Sequence, residues 1–396
     1  MTDQCRRVCC LCCTVLLTSL AFIAGTPQGQ CRAEDSPSSH AWVFVGTYTR
    51  GASEGVYVLQ LDLTTGSLKK KSVAVSDNPS FLAIHPNGKY VYAANEISNY
   101  LGKSAGAISA FSFDRKTSRL SLLNQQSSGG AGPCHLVVDQ TGKSVLAANY
   151  GGGSVCSLPV GADGKLRPAA TFIQHTGSSV NPRRQKEPHA HSINLDPSNR
   201  FAVAADLGID QLLIYPFDAD KGMLTAGVVS VARVAPGSGP RHFACHPSGQ
   251  FAYVINELLL NVTVFAFDSK TGALTGQQVI STLPPGTGKT GSTAEVQVHP
   301  SGRFLYGSNR GHDSIVAYSI DQQTGRLTHV ENESTGGRTP RNFGIDPTGR
   351  YLLAANQSTS DIVVFRIDQK TGELSPAGHE IEIPSPVCVK MMPVNQ

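Results

Sequence analysis

The chain has 396 residues, of which 40% are hydrophobic and only 16% are charged, and its formal net charge is +4. A net charge this small argues against a nucleic-acid-binding protein, and the low charged fraction disfavours a helical enzyme. The 40 glycines and 23 prolines instead indicate many turns, as expected of a protein built from sheets.

The first residues have the order of a secretory signal. Arg6 and Arg7 precede an uncharged run over residues 8–25, and a polar stretch follows. The run is shorter than the roughly 20 apolar residues that a membrane span needs. We therefore expect an exported protein, periplasmic or extracellular, with no stable membrane span after signal removal; a cytoplasmic location is the alternative.

Three segments follow from this reading. We predict a signal peptide and leader over residues 1–33, a linker over residues 34–41 and a single domain over residues 42–396. Cleavage after Gly25 and cleavage after Ala33 both fit the pattern.

The cysteines divide between the leader and the domain. Six lie in the leader, and the four in the domain form no Cys-x-x-Cys pair, which disfavours a zinc site. Export would permit disulfides, and three pairings are possible; we expect most of the four to be buried in strands. These four are Cys134, Cys156, Cys245 and Cys388.

A turn of the form Asp-x-x-Thr-Gly-x-Leu, exact or degenerate, occurs seven times along the chain. The copies are Asp62–Leu68, Asp114–Leu120, Gly161–Leu166, Asp218–Leu224, Asp268–Leu274, Asp321–Leu327 and Asp368–Leu374. Their closing leucines are 46 to 58 positions apart. A period near 50 in strand-rich units is typical of β-propeller blades, so the spacing predicts seven blades.

A second landmark, His/Asp-Pro-x-Gly and its variants, lies between apolar runs and predicts hairpins. Its copies begin at His85, Asp139, Asp196, His246, His299 and Asp346. The seventh hairpin is split: Pro386–Pro393 resembles its first strand and Trp42–Thr49 its second. We therefore predict an all-β, seven-bladed propeller of four-stranded blades, with the ring closed by pairing of N- and C-terminal strands.

Hairpin geometry brings charged residues together. Residues equidistant from an antiparallel turn face each other, which predicts five pairs at the open ends of the hairpins. The pairs are Arg241–Glu257, Glu295–Arg310, His191–Asp206, His135–Asn149 and Arg341–Asn356. Since all blades share one orientation, one mouth would contain a ring of His135, His191, Arg241, Glu257, Glu295, Arg310 and Arg341.

Other repeated residues have a structural explanation. Ten positions after each hairpin anchor stands an Asn or Asp, which we expect to bond nearby backbone. The next position varies among Glu96, Tyr150, Leu207, Glu257, Arg310 and Gln357, as a single asymmetric pocket requires.

The turn histidines His85, His246 and His299 are expected to be structural. His189 and His191 share a strand face, but a metal site there is disfavoured for want of a third ligand.

These residues resemble the seven-bladed propeller lactonase family, which includes propeller-type 6-phosphogluconolactonases and carboxymuconate-lactonizing cycloisomerases. The resemblance covers roughly Trp42 to the C-terminus. It is carried by Gly239-Pro240-Arg241-His242 with Asn256-Glu257-Leu258, by His191-Ser192, by Ser308-Asn309-Arg310 and by Thr339-Pro340-Arg341.

The resemblance implies hydrolysis of an acidic or phosphorylated sugar lactone, with no metal and no other cofactor. By this likeness His191, Arg241, Glu257 and Arg310 fall on the family's active-site positions. Glu257 or His191 would be the general base and the other the acid. The two arginines would stabilise the oxyanion or hold an anionic group.

His135, Glu295 and Arg341 would bind substrate. The family's lactonases of central metabolism are cytosolic. For an exported chain, the substrate could therefore be either a plain or a phosphorylated lactone.

Two rival functions also fit the sequence. A muconate-type cycloisomerase would use the same arginines for carboxylates, and a non-catalytic propeller would bind a ligand or a protein without turnover. The expected partner is a small-molecule lactone and not nucleic acid; the oligomeric state is not predicted.

Overall fold

The computed structural model describes residues 39–225, 230–288 and 290–394. The predicted signal and most of the linker lie outside these residues. Within the described part of the chain, no helix combines the length and apolarity needed to cross a membrane.

The described residues form seven antiparallel sheets, six of four strands and one of five. The strands in chain order are β1 (His40–Thr47), β2 (Gly55–Asp62), β3 (Leu68–Val75), β4 (Pro79–Ile84), β5 (Tyr90–Asn95), β6 (Ala107–Asp114), β7 (Arg119–Ser127), β8 (Pro133–Val138), β9 (Ser144–Asn149), β10 (Ser154–Pro159), β11 (Thr171–Gln174), β12 (Ala190–Leu195), β13 (Phe201–Asp206), β14 (Gln211–Asp218), β15 (Met223–Leu224), β16 (Ser230–Arg233), β17 (Pro240–Cys245), β18 (Phe251–Asn256), β19 (Asn261–Phe267), β20 (Leu274–Ser281), β21 (Ser292–Val298), β22 (Phe304–Arg310), β23 (Ser314–Ile320), β24 (Leu327–Ser334), β25 (Pro340–Ile345), β26 (Tyr351–Asn356), β27 (Asp361–Ile367), β28 (Leu374–Glu382) and β29 (Pro386–Pro393).

Each sheet is one blade, and its strands run outward from the central channel. The inner strands are β29, β4, β8, β12, β17, β21 and β25. Since each blade packs between two others, the second strands are buried on both faces and read as continuous apolar runs, as in Phe251–Asn256. The outermost strands, such as β20, alternate between partly buried and exposed residues.

The ring closes as the sequence predicts. The C-terminal strand β29 pairs antiparallel with β1, with Val389 opposite Val45, and β1 continues into β2 and β3. One blade is thus assembled from both ends of the described chain. The pairing covers the sheet edges that a linear stack of blades would leave open.

The turn histidines bond neighbouring blades together, as expected. Nε2 of His246 lies 2.8 Å from the carbonyl oxygen of Gly302, and Nε2 of His299 lies 2.8 Å from that of Gly349. A Cβ atom at Gly302 would lie 2.8 Å from His246 Nε2, and Gly302 has a φ of +72°. Glycine is therefore required there both by its backbone conformation and by the imidazole packed against it.

The repeated Asn residues at the strand ends are also structural. The side-chain amides of Asn149, Asn309 and Asn356 donate to the backbone carbonyls of Ser128, Thr282 and Thr335 at 3.2, 2.9 and 3.2 Å. These bonds tie the second strand of one blade to the chain leaving the outer strand of the preceding blade.

The predicted hairpin pairings are wrong by one to three residues, and a β-bulge in the inner strands accounts for one of these residues. In the β17–β18 pair, Pro240 faces Asn256 and His242 faces Ile255, so Arg241 has no ladder partner. The same irregularity leaves His191 and Arg341 unpaired in their blades. In β8 it falls at Cys134, so His135 faces Ala148 and not the predicted Asn149.

The bulge in β21 has the largest effect on the predicted site. Ser292 faces Arg310, and the ladder then skips from Thr293 to Val296. Glu295 is therefore not the partner of Arg310. Because one extra residue reverses the face to which the following side chains point, Glu295 enters a different part of the channel.

Candidate active site

The unpaired residues of the bulges form one wall of a cavity at the end of the channel where the inner strands begin. Cys134, His191 and Arg341 come from the bulges, and the side chains that follow the second strands complete the wall. This mouth cavity has a volume of about 280 Å³. Its lining residues are Glu96, Cys134, Tyr150, Arg184, His191, Glu257, Ser292, Arg310 and Arg341.

Glu257 is the centre of the charge network at the mouth. Its Oε2 accepts from Arg241 Nε at 3.0 Å and lies 3.0 Å from Arg310 Nη2, while its Oε1 accepts from Arg184 Nη2 at 2.7 Å. The Glu257 and Arg241 side chains are 5% and 3% exposed, so the ion pair between them is buried. A single buried carboxylate thus holds three guanidinium groups around one cavity.

The arginines decide the protonation state of this carboxylate. Burial alone would raise the pKa of Glu257, but the positive charges of Arg310, Arg241 and Arg184 lower it to about 2. Glu257 is therefore ionised throughout the physiological range. A carboxylate with so low a pKa, both of whose oxygens already accept from arginines, is a weak proton acceptor.

His191 is the titratable group best suited to accept a proton at the mouth. Its Nε2 lies 3.9 Å from Glu257 Oε2, and its Nδ1 lies 3.6 Å from the Cys134 sulfur. Burial and the nearby charge of Arg241 lower the pKa of His191 well below its usual value. The imidazole is thus neutral at pH 7. Among the described residues no arginine donates to its nitrogens, in contrast to the Glu257 oxygens, so a nitrogen is available as a base.

A second polar line extends from Arg341. Its Nη2 donates to the Tyr48 hydroxyl at 3.1 Å, and that hydroxyl donates to Glu96 Oε2 at 2.9 Å. The Arg341 guanidinium also lies 5.4 Å from the centre of the Tyr48 ring. Two sides of its guanidinium are fixed in this way, and its remaining N–H groups can bind an anion in the cavity.

Arg184 and its loop were not expected at the site, since the loop lies outside the repeated hairpins. Within the loop between β11 and β12, the side chain of Gln185 is fully buried and donates to the Leu207 carbonyl at 2.8 Å. This anchor places Arg184 over the mouth, where its Nη2 also donates to the Tyr150 hydroxyl at 3.1 Å.

The position directly after the repeated Asn or Asp varies between blades, and this variation correctly indicated residues of the site. Four residues at this position line the mouth cavity: Glu96, Tyr150, Glu257 and Arg310. No pattern in the sequence indicated that Tyr48 and Cys134 would lie at the site.

Two of the predicted substrate-binding residues do not line the mouth. His135 follows the bulge of β8, and Glu295 lies within that of β21; both line a second cavity of about 360 Å³ further along the channel. Glu295 accepts from the backbone N–H of Val296, from Nδ1 of His242 and from the Asn342 amide. Their side chains therefore do not share the mouth cavity with His191, Arg310 and Arg341.

Metal and disulfide chemistry have little support in the arrangement of side chains. Within the described ranges, no three His, Cys, Asp or Glu side chains converge as metal ligands. His189 Nδ1 lies 3.0 Å from the Tyr150 carbonyl oxygen, and its ring stacks on Tyr150. The four domain cysteines are free thiols. Three of them are buried, as expected from the sequence.

Comparison with known proteins gives consistent results across the described domain. The family model described as lactonase, 7-bladed beta-propeller, matches residues 42–391. The 6-phosphogluconolactonase of Bacillus subtilis (strain 168) is 37% identical over 350 residues, which are 88% of this chain and 97% of that protein. The 6-phosphogluconolactonase of Formosa agariphila is 35% identical over 77% of this chain and 86% of its own length.

Solved structures show the same likeness. The periplasmic gluconolactonase of Pseudomonas aeruginosa superimposes with a TM-score of 0.84 at 33% identity, covering 90% of this chain and 100% of that protein. A protein from Lactobacillus plantarum has a TM-score of 0.82 at 30% identity, covering 89% of this chain and 99% of its own.

Proposed function

Because this chain belongs to the seven-bladed β-propeller lactonase family, we propose that it hydrolyses a sugar lactone carrying an anionic group, in the mouth cavity. The observation that carries the proposal is the contrast between two neighbouring groups. Glu257 is an ionised carboxylate held by three arginines, whereas His191 is a neutral imidazole 3.9 Å from it. One group organises positive charge and the other is free to move a proton.

In the proposed reaction, His191 accepts a proton from a water molecule as the water oxygen attacks the lactone carbonyl carbon. The carbonyl oxygen becomes an oxyanion, which the arginines stabilise. When the intermediate collapses, the bond from carbon to the ring oxygen breaks. The imidazolium returns its proton to that oxygen, and the product is an open-chain hydroxy acid.

Arg310 is the best candidate for direct contact with the reacting carbonyl. Its Nη2 donates to the Thr293 carbonyl and lies beside Glu257. Its buried Nε has no hydrogen-bond partner among the described residues. A buried guanidinium N–H without a partner costs free energy, and a substrate oxygen in the cavity would satisfy it.

Arg341 and Arg184 lie on the same cavity and would hold the anionic group of the substrate. Arg341 keeps free N–H groups beyond its bond to Tyr48. The Arg184 side chain is 39% exposed, whereas that of its partner Glu257 is 5% exposed. Guanidinium groups suit carboxylate and phosphate alike, because both oxyanions accept paired hydrogen bonds.

Lactone hydrolysis is tested by a substrate series on the purified protein. The series contains glucono-δ-lactone, its 6-phosphate, a lactone with a carboxylate side group and a muconolactone, each followed by acid release. We expect hydrolysis with incorporation of solvent oxygen from H₂¹⁸O. Conversion of the muconolactone without solvent oxygen would support the cycloisomerase instead, and ligand-dependent stabilisation without turnover of any lactone would support a binding protein.

We also propose that the protein is exported and meets its lactone outside the cytoplasm. The support is the charge order of the N-terminal residues, Arg6 and Arg7 before an uncharged run, together with the periplasmic location named for the Pseudomonas aeruginosa relative. A reporter fused after residue 41 should be exported, and Arg6→Glu with Arg7→Glu should retain it in the cytoplasm. Equal export of both fusions would contradict the proposal.

A further inference from the structure

The second cavity of the channel, here called the lower cavity, is separate from the mouth. Its volume is about 360 Å³, and it extends along the later residues of the inner strands to Pro247 in a hairpin turn. A small cavity of about 10 Å³ shares His191 and Arg341 with the mouth, and Phe81 and His242 with the lower cavity. The lower cavity is thus a compartment of its own, which the proposed hydrolysis does not use.

A lysine side chain enters the lower cavity, where its positive charge acts on the Glu295 carboxyl without forming a direct ion pair with it. Lys390 on β29 lines the cavity, and its Nζ lies 4.6 Å from the centre of the Phe81 ring. Among the described residues its ammonium has no hydrogen-bond or ion-pair partner. A partly buried ammonium that lies against an aromatic face and makes no hydrogen bond has three N–H donors available for a ligand.

An imidazole supplies a second donor on the same wall. The backbone N–H of Ile193 donates to His135 Nδ1 at 3.4 Å, so that nitrogen must be the acceptor. Burial lowers the pKa of His135 well below its usual value, and the neutral ring therefore carries its proton on Nε2. His135 is 4% exposed, and its ring lies 4.2 Å from the Phe81 ring at an interplanar angle of 33°. Among the described residues its Nε2 has no hydrogen-bond partner.

The remaining walls restrict the charge of a ligand to a single negative unit. Glu295 faces the same cavity, and its oxygens accept from the Val296 N–H, His242 and Asn342. A dianion would meet this carboxylate with only one lysine to balance it. The apolar walls, formed by Phe81, Ile345, Val389 and Met391, suit a carbon skeleton.

We propose that the lower cavity binds a small organic carboxylate, whose oxygens accept from Lys390 Nζ and His135 Nε2–H. The carboxylate group would lie near Phe81, and the carbon body would contact the apolar side chains of β25 and β29. This site does not depend on lactone hydrolysis, because none of its donors lines the mouth cavity.

The site is tested by calorimetric titration of the purified protein in a buffer without carboxylates. The chain carries Arg310→Met, which removes a mouth donor and leaves the lower cavity intact. Acetate and gluconate are the probes, and inorganic phosphate is the comparison anion. We expect both carboxylates to bind more tightly than phosphate.

Lys390→Met in this chain should weaken carboxylate binding by about tenfold or more, as expected for loss of a charge-assisted hydrogen bond. Lys390→Arg should retain binding, and Lys370→Met, at an exposed turn, is the matched control. His135→Phe keeps an aromatic ring against Phe81 and should weaken binding separately, and it remains informative if Lys390→Met folds poorly. Unchanged binding in both variants, or phosphate binding as tight as the carboxylates, would overturn the proposal.

Discussion

Arg184 Nη2 lies 2.7 Å from Glu257 Oε1, although 73 positions of sequence separate the two residues. The arginine comes from a loop between two blades, and the glutamate follows the second strand of a later hairpin. Their ion pair connects a loop that lies outside the repeated hairpins with a residue that a repeated hairpin positions.

Replacement of Arg184 by Met should lower kcat/KM for an anionic lactone by about tenfold to a hundredfold. The loss reflects one charge-assisted hydrogen bond to Glu257 and one to the substrate. Arg183→Met, at the exposed neighbouring position, is the control and should keep the parental rate. Equal rates for the two variants, in steady-state assays across the lactone series, would show that Arg184 has no part in the site.

Glu257→Gln should reduce both activity and stability. The amide leaves Arg241 buried without its counter-charge, and breaking a buried ion pair in this way costs about 3–5 kcal/mol of unfolding free energy. We expect turnover to fall by about a hundredfold or more because the arginines lose their common anchor. Denaturant unfolding and steady-state kinetics measure the two effects; Glu380→Gln, on an exposed strand, controls for loss of one charge. A fully active, fully stable Glu257→Gln protein would contradict this organisation of the site.

The pH dependence of kcat/KM should identify the base. Burial and Arg241 hold the pKa of His191 well below its usual value, so the imidazole is neutral, and active as a base, down to pH values below about 6.5. The rate should therefore be constant near neutrality and fall only in acid. His191→Gln should remove this acid limb together with about a hundredfold or more of the rate. An acid limb that survives in His191→Gln would assign the base to another group.

Glu295 is expected to position Arg241 through His242. Arg241 Nη1 donates to His242 Nε2 at 3.1 Å, since a guanidinium only donates, and the opposite nitrogen of His242 donates to Glu295 at 3.1 Å. Glu295→Gln should lower kcat by about tenfold while KM and the acid limb of His191 stay unchanged. A change in KM alone, measured beside the Glu380→Gln control, would instead indicate substrate contact.

Acid should destabilise the fold at pH values below about 6.5. Burial depresses the pKa of His135, His191 and His242, so the unfolded chain binds protons that the folded chain does not. Stability is then complete above the unfolded pKa and declines as the pH falls, by up to about 1.4 kcal/mol per pH unit for each histidine.

Glu257 adds to this loss between its unfolded pKa and about 2, whereas burial raises the pKa of Glu295 and opposes the loss. Thermal unfolding midpoints between pH 8 and 4.5 test the slope, and a flat profile in that range would contradict the histidine assignment. His135→Phe should make the profile shallower, because it removes one of the three groups.

The sequence alone determined the number of blades, the closure of the ring and the structural role of the turn histidines. These follow from local rules: turn residues recur at a fixed period, and an antiparallel hairpin brings its two ends together whatever the residues beyond it. It also indicated that several charged residues would gather at one end of the channel, because that conclusion tolerates an error of one to three residues in register. These residues are Arg241, Glu257, Arg310, His191 and Arg341.

Only the tertiary structure decided which side chains share a cavity. The bulge in each inner strand shifts the pairing by one residue, which reverses the face that Glu295 and His135 present and moves them from the mouth to the lower cavity. Arg184 reaches Glu257 because buried Gln185 anchors its loop to Leu207. The bulge recurs in every inner strand, but counting residues outward from the turn does not reveal it, and the loop of Arg184 has no counterpart in the other blades as the structure describes them.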